Sequence, residues 1–142
     1  MNLITVENDI VTRLNTISGI TAVSFPDDPA DFQKTMEGGV LLVRYNGSNY
    51  EDPEPNNQPK VVQLRTLEWQ VVILSKSYAD SKKHQGAYTL IELVRAKLTG
   101  YTPTGFSDAS IMFPLNDGFR SEEAGYHIYT ANYAFTFPEA ES

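Results

Sequence analysis

Hydrophobic residues in this chain recur at two different periods, and the order in which the periods alternate leaves few arrangements open. Near the start, Leu3, Val6, Ile10, Leu14 and Ile17 recur every three or four residues, one stripe of an α-helix. Asn2 stands at a capping position, Glu7 and Asp9 suit the early turns, and Gly19 suits the stop. Ala87, Leu90, Ile91, Val94 and Leu98 make a second stripe, on a helix expected from about Ser81 or Lys82 to Leu98 and closed by Gly100 and Pro103. Elsewhere the period is two. Leu67, Trp69, Val71 and Ile73 alternate with Thr66, Glu68 and Gln70, and Trp69 is the best candidate for a core anchor. In the last strand Tyr129, Ala131, Tyr133, Phe135 and Phe137 share one face, with Ile128, Thr130, Asn132, Ala134 and Thr136 on the other.

Three shorter strands complete the pattern. One covers 21–25 and ends at Pro26-Asp27-Asp28-Pro29, where each proline removes a backbone donor. A second, 40–45, reads as buried on both faces until Arg44, and a third, 110–115, is broken by Pro114 and so belongs at a sheet edge. The order is α-β-β-β-α-β-β. Two helices with one apolar stripe each can pack together on one face of a mostly antiparallel sheet, an α+β two-layer domain expected to span residues 1–142. Pro53, Pro55 and Pro59 mark residues 47–60 as a flexible acidic loop, and residues 138–142 are expected to fray.

Composition excludes more than it suggests. A chain of 142 residues can bury a core without staples, and the absence of cysteine removes disulfides, thiolate ligands and a cysteine nucleophile. The start, MNLITVENDIVTRLN, does not read as a signal peptide, and no run approaches the roughly 18 apolar residues of a membrane span. A net charge of −7 disfavours specific nucleic-acid binding, which needs a positive footprint. The carboxylate pairs Asp27/Asp28, Glu51/Asp52 and Glu122/Glu123 lie beside turn formers, not in contexts that would split their pKa values for acid–base work. His84 and His127 lack companion ligands at metal-site spacing. No nucleophile elbow, P-loop or dinucleotide fingerprint occurs, and the NGS at Asn46 reads as a turn. Lys82, Lys83, Arg95 and Lys97 read as a solvated face of the second helix. The expectation is therefore a chain with no catalytic residues, no metal and no cofactor.

What remains is contact chemistry. Arg44, Arg65 and Glu68 interrupt apolar strand faces and are candidates for pairing between protomers. Tyr50, with Glu51 and Asp52 beside it, is the large side chain of the polar loop able to anchor a partner, and Arg120 joins this set. Tyr78, Tyr101 and Phe106 also fall between elements, where aromatic side chains often anchor interfaces.

The blocks FPDDP (25–29), GGVLLVRYNGSNY (38–50), RTLEWQVVILSKS (65–77), GAYTLIELVRAKLTGYTP (86–103) and YHIYTANYAFTF (126–137), in this order, resemble the tail terminator family of Mu-like contractile phages, itself related in fold to the lambda-type tail terminators. The resemblance runs from about Ile4 to Phe137 and is structural, with no catalytic motif in it. It implies a homohexameric ring in the tail or neck of a virion, made in the bacterial cytoplasm. Such a ring caps the tail tube, ends tube and sheath growth and offers a docking surface to the head–tail connector. DNA would pass through the lumen without specific binding, and six chains at −7 each would make that passage acidic. Other readings are a different neck or tail-completion component or, from another class, a small-molecule-binding or enzymatic α+β domain, which would need a deep pocket with convergent polar groups.

Overall fold

The computed structural model describes residues 2–26, 39–53, 61–76, 85–106, 108–123 and 126–141. Helix α1 (Leu3–Leu14) starts where Asn2 accepts from the amides of Ile4 and Thr5 at 3.0 and 3.2 Å, as an N-cap should. The apolar stripe continues to Ile17, but the helix stops three residues earlier. A tight turn, in which Ile17 N donates to Leu14 O at 3.0 Å, still folds Ile17 into the core. The Asn15 side chain both donates to and accepts from the Ala22 backbone, at 2.9 and 2.8 Å, and so fixes the start of strand β1 (Ile20–Ser24).

Strands β2 (Gly39–Tyr50), β3 (Val61–Lys76), β4 (Phe113–Glu123) and β5 (Tyr126–Glu141), with helix α2 (Gln85–Leu98) between β3 and β4, complete the expected α-β-β-β-α-β-β order. The sheet runs β1-β2-β3-β5-β4, with β1 parallel to β2 and every other pair antiparallel. Helix α1 lies against β1 and β2, α2 lies against β3 and β5, and the helices touch each other. This is the α+β two-layer arrangement.

The core between the layers joins Val6, Ile10 and Leu14 of α1 and Ala87, Val94 and Leu98 of α2 to the inward residues of the sheet. Trp69 is fully buried there, opposite Tyr45 on β2 and Tyr133 on β5, with the Tyr45 ring 5.4 Å away. On the opposite face Val40, Leu42, Val72 and Leu74 are also buried, packed with Val23, Phe25 and Ile128. Both sides of the β2–β3 pair are therefore apolar at that end, as the unbroken VLLV run requires.

Several boundaries differ from the sequence reading. The loop expected from residue 47 begins after Tyr50, because a bulge at Asn46 restores the register and pairs Gly47–Tyr50 with Glu68–Arg65. Gly47, at φ +131°, takes up that irregularity. Residues 138–141 are not frayed, since β5 pairs with β3 out to Glu141 opposite Val61. The strand expected at 110–115 begins at Phe113 and runs on to Glu123. It lies at the edge as Pro114 demands, with register shifts at Leu115 and Arg120. The expected start of α2 at 81–82, the 27–29 part of the Pro26–Pro29 turn, and Tyr78, Lys82, Lys83 and His84 lie outside the described residues.

Two measurements test this core. Trp69→Ala should lower unfolding free energy by about 3–5 kcal/mol in a denaturant titration. The loss for Trp69→Phe should be smaller, because the indole Nε1 has no hydrogen-bond partner among the described residues to forfeit. Tyr133 supplies a pH signature. Burial first, then the Asp117 carboxylate, holds its hydroxyl well above the ordinary 10.0, with Arg95 opposing and Glu92 adding to the shift. The unfolded chain loses this proton near pH 10 while the folded one keeps it, so stability is complete below pH 10 and falls as pH rises further. Tyr133→Phe should be less sensitive than wild type to a change from pH 9 to pH 11, measured by urea unfolding.

Candidate interaction surface

The seven candidate contact residues separate into two places. Arg65, Tyr50, Glu51 and Asp52 lie at the end of the sheet where β2 leaves β3. Arg65 is on the helix-facing side, opposite Tyr50 and Phe137. Its Nη1 donates to Glu139 Oε1 at 2.9 Å, its Nε to Ser48 Oγ at 3.0 Å and its Nη2 to the Tyr45 hydroxyl at 3.4 Å. Tyr45 and Ser48 also share a hydrogen bond through their hydroxyls. The guanidinium sits 5.4 Å from the Tyr50 ring centre. Burial works to lower its pKa, but the hydrogen bonds to Tyr45 and Glu139, with Tyr50 adding, more than offset that and raise it. Arg65 is thus engaged within its own chain, tying three strands together where the core ends. Tyr50 remains 54 % exposed despite that contact, and Glu51 and Asp52 are exposed.

Arg44, Glu68 and Arg120 lie on the opposite face of the sheet, away from the helices. There a polar row crosses four strands, with Arg44, Gln70, Asn132 and Asn116 at successive paired positions. Arg44 Nε donates to Gln70 Oε1 at 2.7 Å and Asn132 Nδ2 to Asn116 Oδ1 at 2.7 Å. Arg44 also covers the Phe25 ring at 4.8 Å. Arg120, displaced by the bulge in β4, donates to Thr130 Oγ1 at 2.6 Å. The two arginines border a shallow hollow of about 370 Å³ floored by Val72, Ile128 and Thr130. Glu68 is two residues along from Gln70 on the same face, half-buried, opposite Ala134.

Two loop aromatics expected to serve as anchors have internal roles instead. Tyr101 is buried in the core under the Arg13 guanidinium at 4.7 Å, and Phe106 packs edge-on against Phe137 at 5.7 Å. Both follow α2, and the returning chain, in which Met112 N donates to Tyr101 O, folds them inward.

The surface that sequence reasoning missed is β4. Its outer side pairs with no strand among the described residues, and Phe113, Leu115 and Phe119 on it, with Ile111 just before it, are exposed. Between β4 and α2 lies a groove of about 690 Å³ lined by Tyr88, Phe119, Tyr129 and His127 and rimmed by acidic side chains. Tyr88 and Phe119 both meet the Tyr129 ring edge-on, at 6.2 and 5.5 Å. Burial raises the Tyr129 pKa, and neighbouring Tyr88 adds to this, so its hydroxyl stays protonated at neutral pH. The segment reads as polar in sequence, NDGFRSEE, and its lone Phe119 carries no visible period.

The Arg65 cluster yields a stability prediction. Arg65→Ala strands Glu139, whose side chain is 17 % exposed, and should cost about 2–3 kcal/mol. Glu139→Gln keeps an acceptor for the guanidinium and should cost about 1 kcal/mol or less, both read from urea midpoints.

Among the described residues no helix is long and apolar enough to cross a membrane. A search of the curated proteins finds no match. The model of the Gp37 protein family matches residues 10–141, from the middle of α1 to the end of β5, and so takes in the whole sheet, both faces and the open edge; the chain belongs to that family of phage proteins.

Proposed function

We propose that this chain is a structural subunit of the phage tail that closes into a hexameric ring on the end of the tail tube. There it ends tube and sheath polymerisation and offers its free side to the head–tail connector, acting without a catalytic step. The observation that carries the reading is the pair of unlike sheet edges in a member of a phage family. One edge is the five-residue β1, and the other is the eleven-residue β4, with Phe113 and Leu115 exposed on it and Ile111 exposed just before it.

Unlike edges favour head-to-tail contact, and a head-to-tail contact whose rotation closes gives a ring. A long edge with apolar side chains also invites pairing with another chain unless a partner covers it. In this reading neighbouring protomers cover β4. Pro114 and the two bulges restrict how far a neighbouring strand can pair, which suits a contact that closes over one that propagates. In this reading Arg44, Glu68 and Arg120, on the face away from the helices, meet a second component across a polar surface. Tyr50, Glu51 and Asp52 at the sheet end are the other such point.

Light scattering over a concentration series, alone and with purified tube protein, tests this. The expected outcome is six-fold the chain mass of 15.9 kDa, either alone or once tube is added, together with shorter tubes. Ile111→Glu with Leu115→Glu should abolish the ring while changing monomer stability by no more than about 0.5 kcal/mol, as expected for exposed positions. A monomer indifferent to tube protein would overturn the reading.

A further inference from the structure

We propose that the groove between α2 and β4 receives a cationic segment of a partner protein, with an arginine or lysine side chain laid over Phe119 and Tyr88. This rests on the groove and on the open β4 edge beside it, and it applies to the protomer before a neighbour covers that edge. Three observations converge on it. First, Phe119 and Tyr88 are 52 % and 56 % exposed, yet each ring is held against the buried Tyr129, so their positions are set before any partner arrives. Second, Glu92, Asp117 and Glu122 stand around them, while no lysine or arginine lines the groove among the described residues. Arg95 meets Glu92 only at 3.9 Å, with both side chains more than half exposed, which makes a weak pair, and His127 lies 3.9 Å from Glu122. Third, the groove runs beside an open strand edge.

Aromatic faces flanked by carboxylates are the chemistry that recognises a guanidinium or ammonium group, through the ring quadrupole and the opposite charge together. An acidic or neutral apolar occupant would desolvate Asp117, and would desolvate Glu92 and Glu122 with only the 3.9 Å contacts to Arg95 and His127 to offset it. Nucleic acid would meet like charge. The open edge explains how a peptide could be held in register. An extended segment paired with the outer side of β4 presents every second side chain to the helix face, where the groove is. The occupant is thus an extended, basic stretch of protein.

The test is titration of isotope-labelled protein with the peptide acetyl-Ser-Val-Arg-Val-Lys-Val-Ser-amide and with its charge-reversed counterpart carrying two glutamates. Saturable amide shifts centred on Tyr88, Asp117, Phe119 and Glu122 are expected with the basic peptide alone. Its affinity should fall at least tenfold in Phe119→Ala and again in Asp117→Asn/Glu122→Gln, and should weaken between 50 and 300 mM salt. The double substitution keeps size and removes only charge, so it reports on recognition even if Phe119→Ala perturbs the edge. Equal binding of the two peptides, shifts centred elsewhere, or no saturable binding at millimolar peptide would each overturn the proposal.

Discussion

The β3–β5 ladder is the constraint on which the rest of the structure depends. It runs unbroken through all sixteen residues of each strand, from Val61 opposite Glu141 to Lys76 opposite Tyr126. Side chains alternate along it, so one slip in register would carry Trp69, Tyr133 and Phe135 from the core to the other face. Those large side chains are the floor on which α2 sits, and β2 and β4 then attach to the ladder from either side. Irregularity is confined to these outer pairings: β2 bulges at Asn46 and β4 shifts twice, while the central pair carries no shift. The centre supplies register, and the flanks absorb what the sequence cannot align.

The polar groups follow from the same geometry. At the end of the core, where β2 turns away, Arg65 occupies an inward position that would otherwise expose a hydrophobic side chain. It is satisfied by Glu139, Ser48 and Tyr45, so the inward face ends in a bonded cluster. On the other face the row from Arg44 to Asn116 separates the buried apolar patch around Leu42 and Val72 from the more polar stretch around Glu68 and Thr66. Asn132 is only 8 % exposed in that row and its Oδ1 has no partner among the described residues, an expense accepted in the middle of an otherwise paired surface. Arg44, Arg65 and Arg120 each bond to a side chain on another strand of their own sheet.

Periodicity made the two stripes and the β3 and β5 faces legible, because burying one face forces alternation or a three-to-four spacing. Trp69 could be placed in the core from the same pattern. Boundaries were less legible, and for a definite reason: strand continuation beyond the hydrophobic run is decided by the partner strand. Nothing in Gly47–Tyr50 or in 138–141 is apolar and alternating enough to announce a strand, yet both are carried by β3 alongside. Strand β4 was the harder case. Asn116 to Glu123 is polar and bulged, and its pairing follows from β5 needing a neighbour on its far side. Tyr101 and Phe106 were misplaced because a residue between elements is exposed only if its segment does not fold back, and here it does.

Why the groove exists at all is a matter of widths. Five strands at about 4.8 Å spacing present a sheet roughly 20 Å or more across. Two helices of about 10 Å diameter, side by side, cover about that much and no more. Here α1 takes β1 and β2, while α2 is centred on β3 and β5 and meets β4 least. The inward positions of β4, Asp117, Phe119 and Glu122, oppose Ala131, Tyr129 and His127 on β5 and meet α2 only across the groove, at Tyr88, Ile91 and Glu92. Phe119 then rests on Tyr129 from the side, and Tyr88 leans over the same ring from α2, while carboxylates occupy the places that a third helix would have required to be apolar. An acidic residue at an inward-facing position would be costly under a helix and costs little at an open rim. The choice of Asp117 and Glu122 there is therefore consistent with a rim that stays hydrated within this chain and with a groove whose chemistry is available to another one.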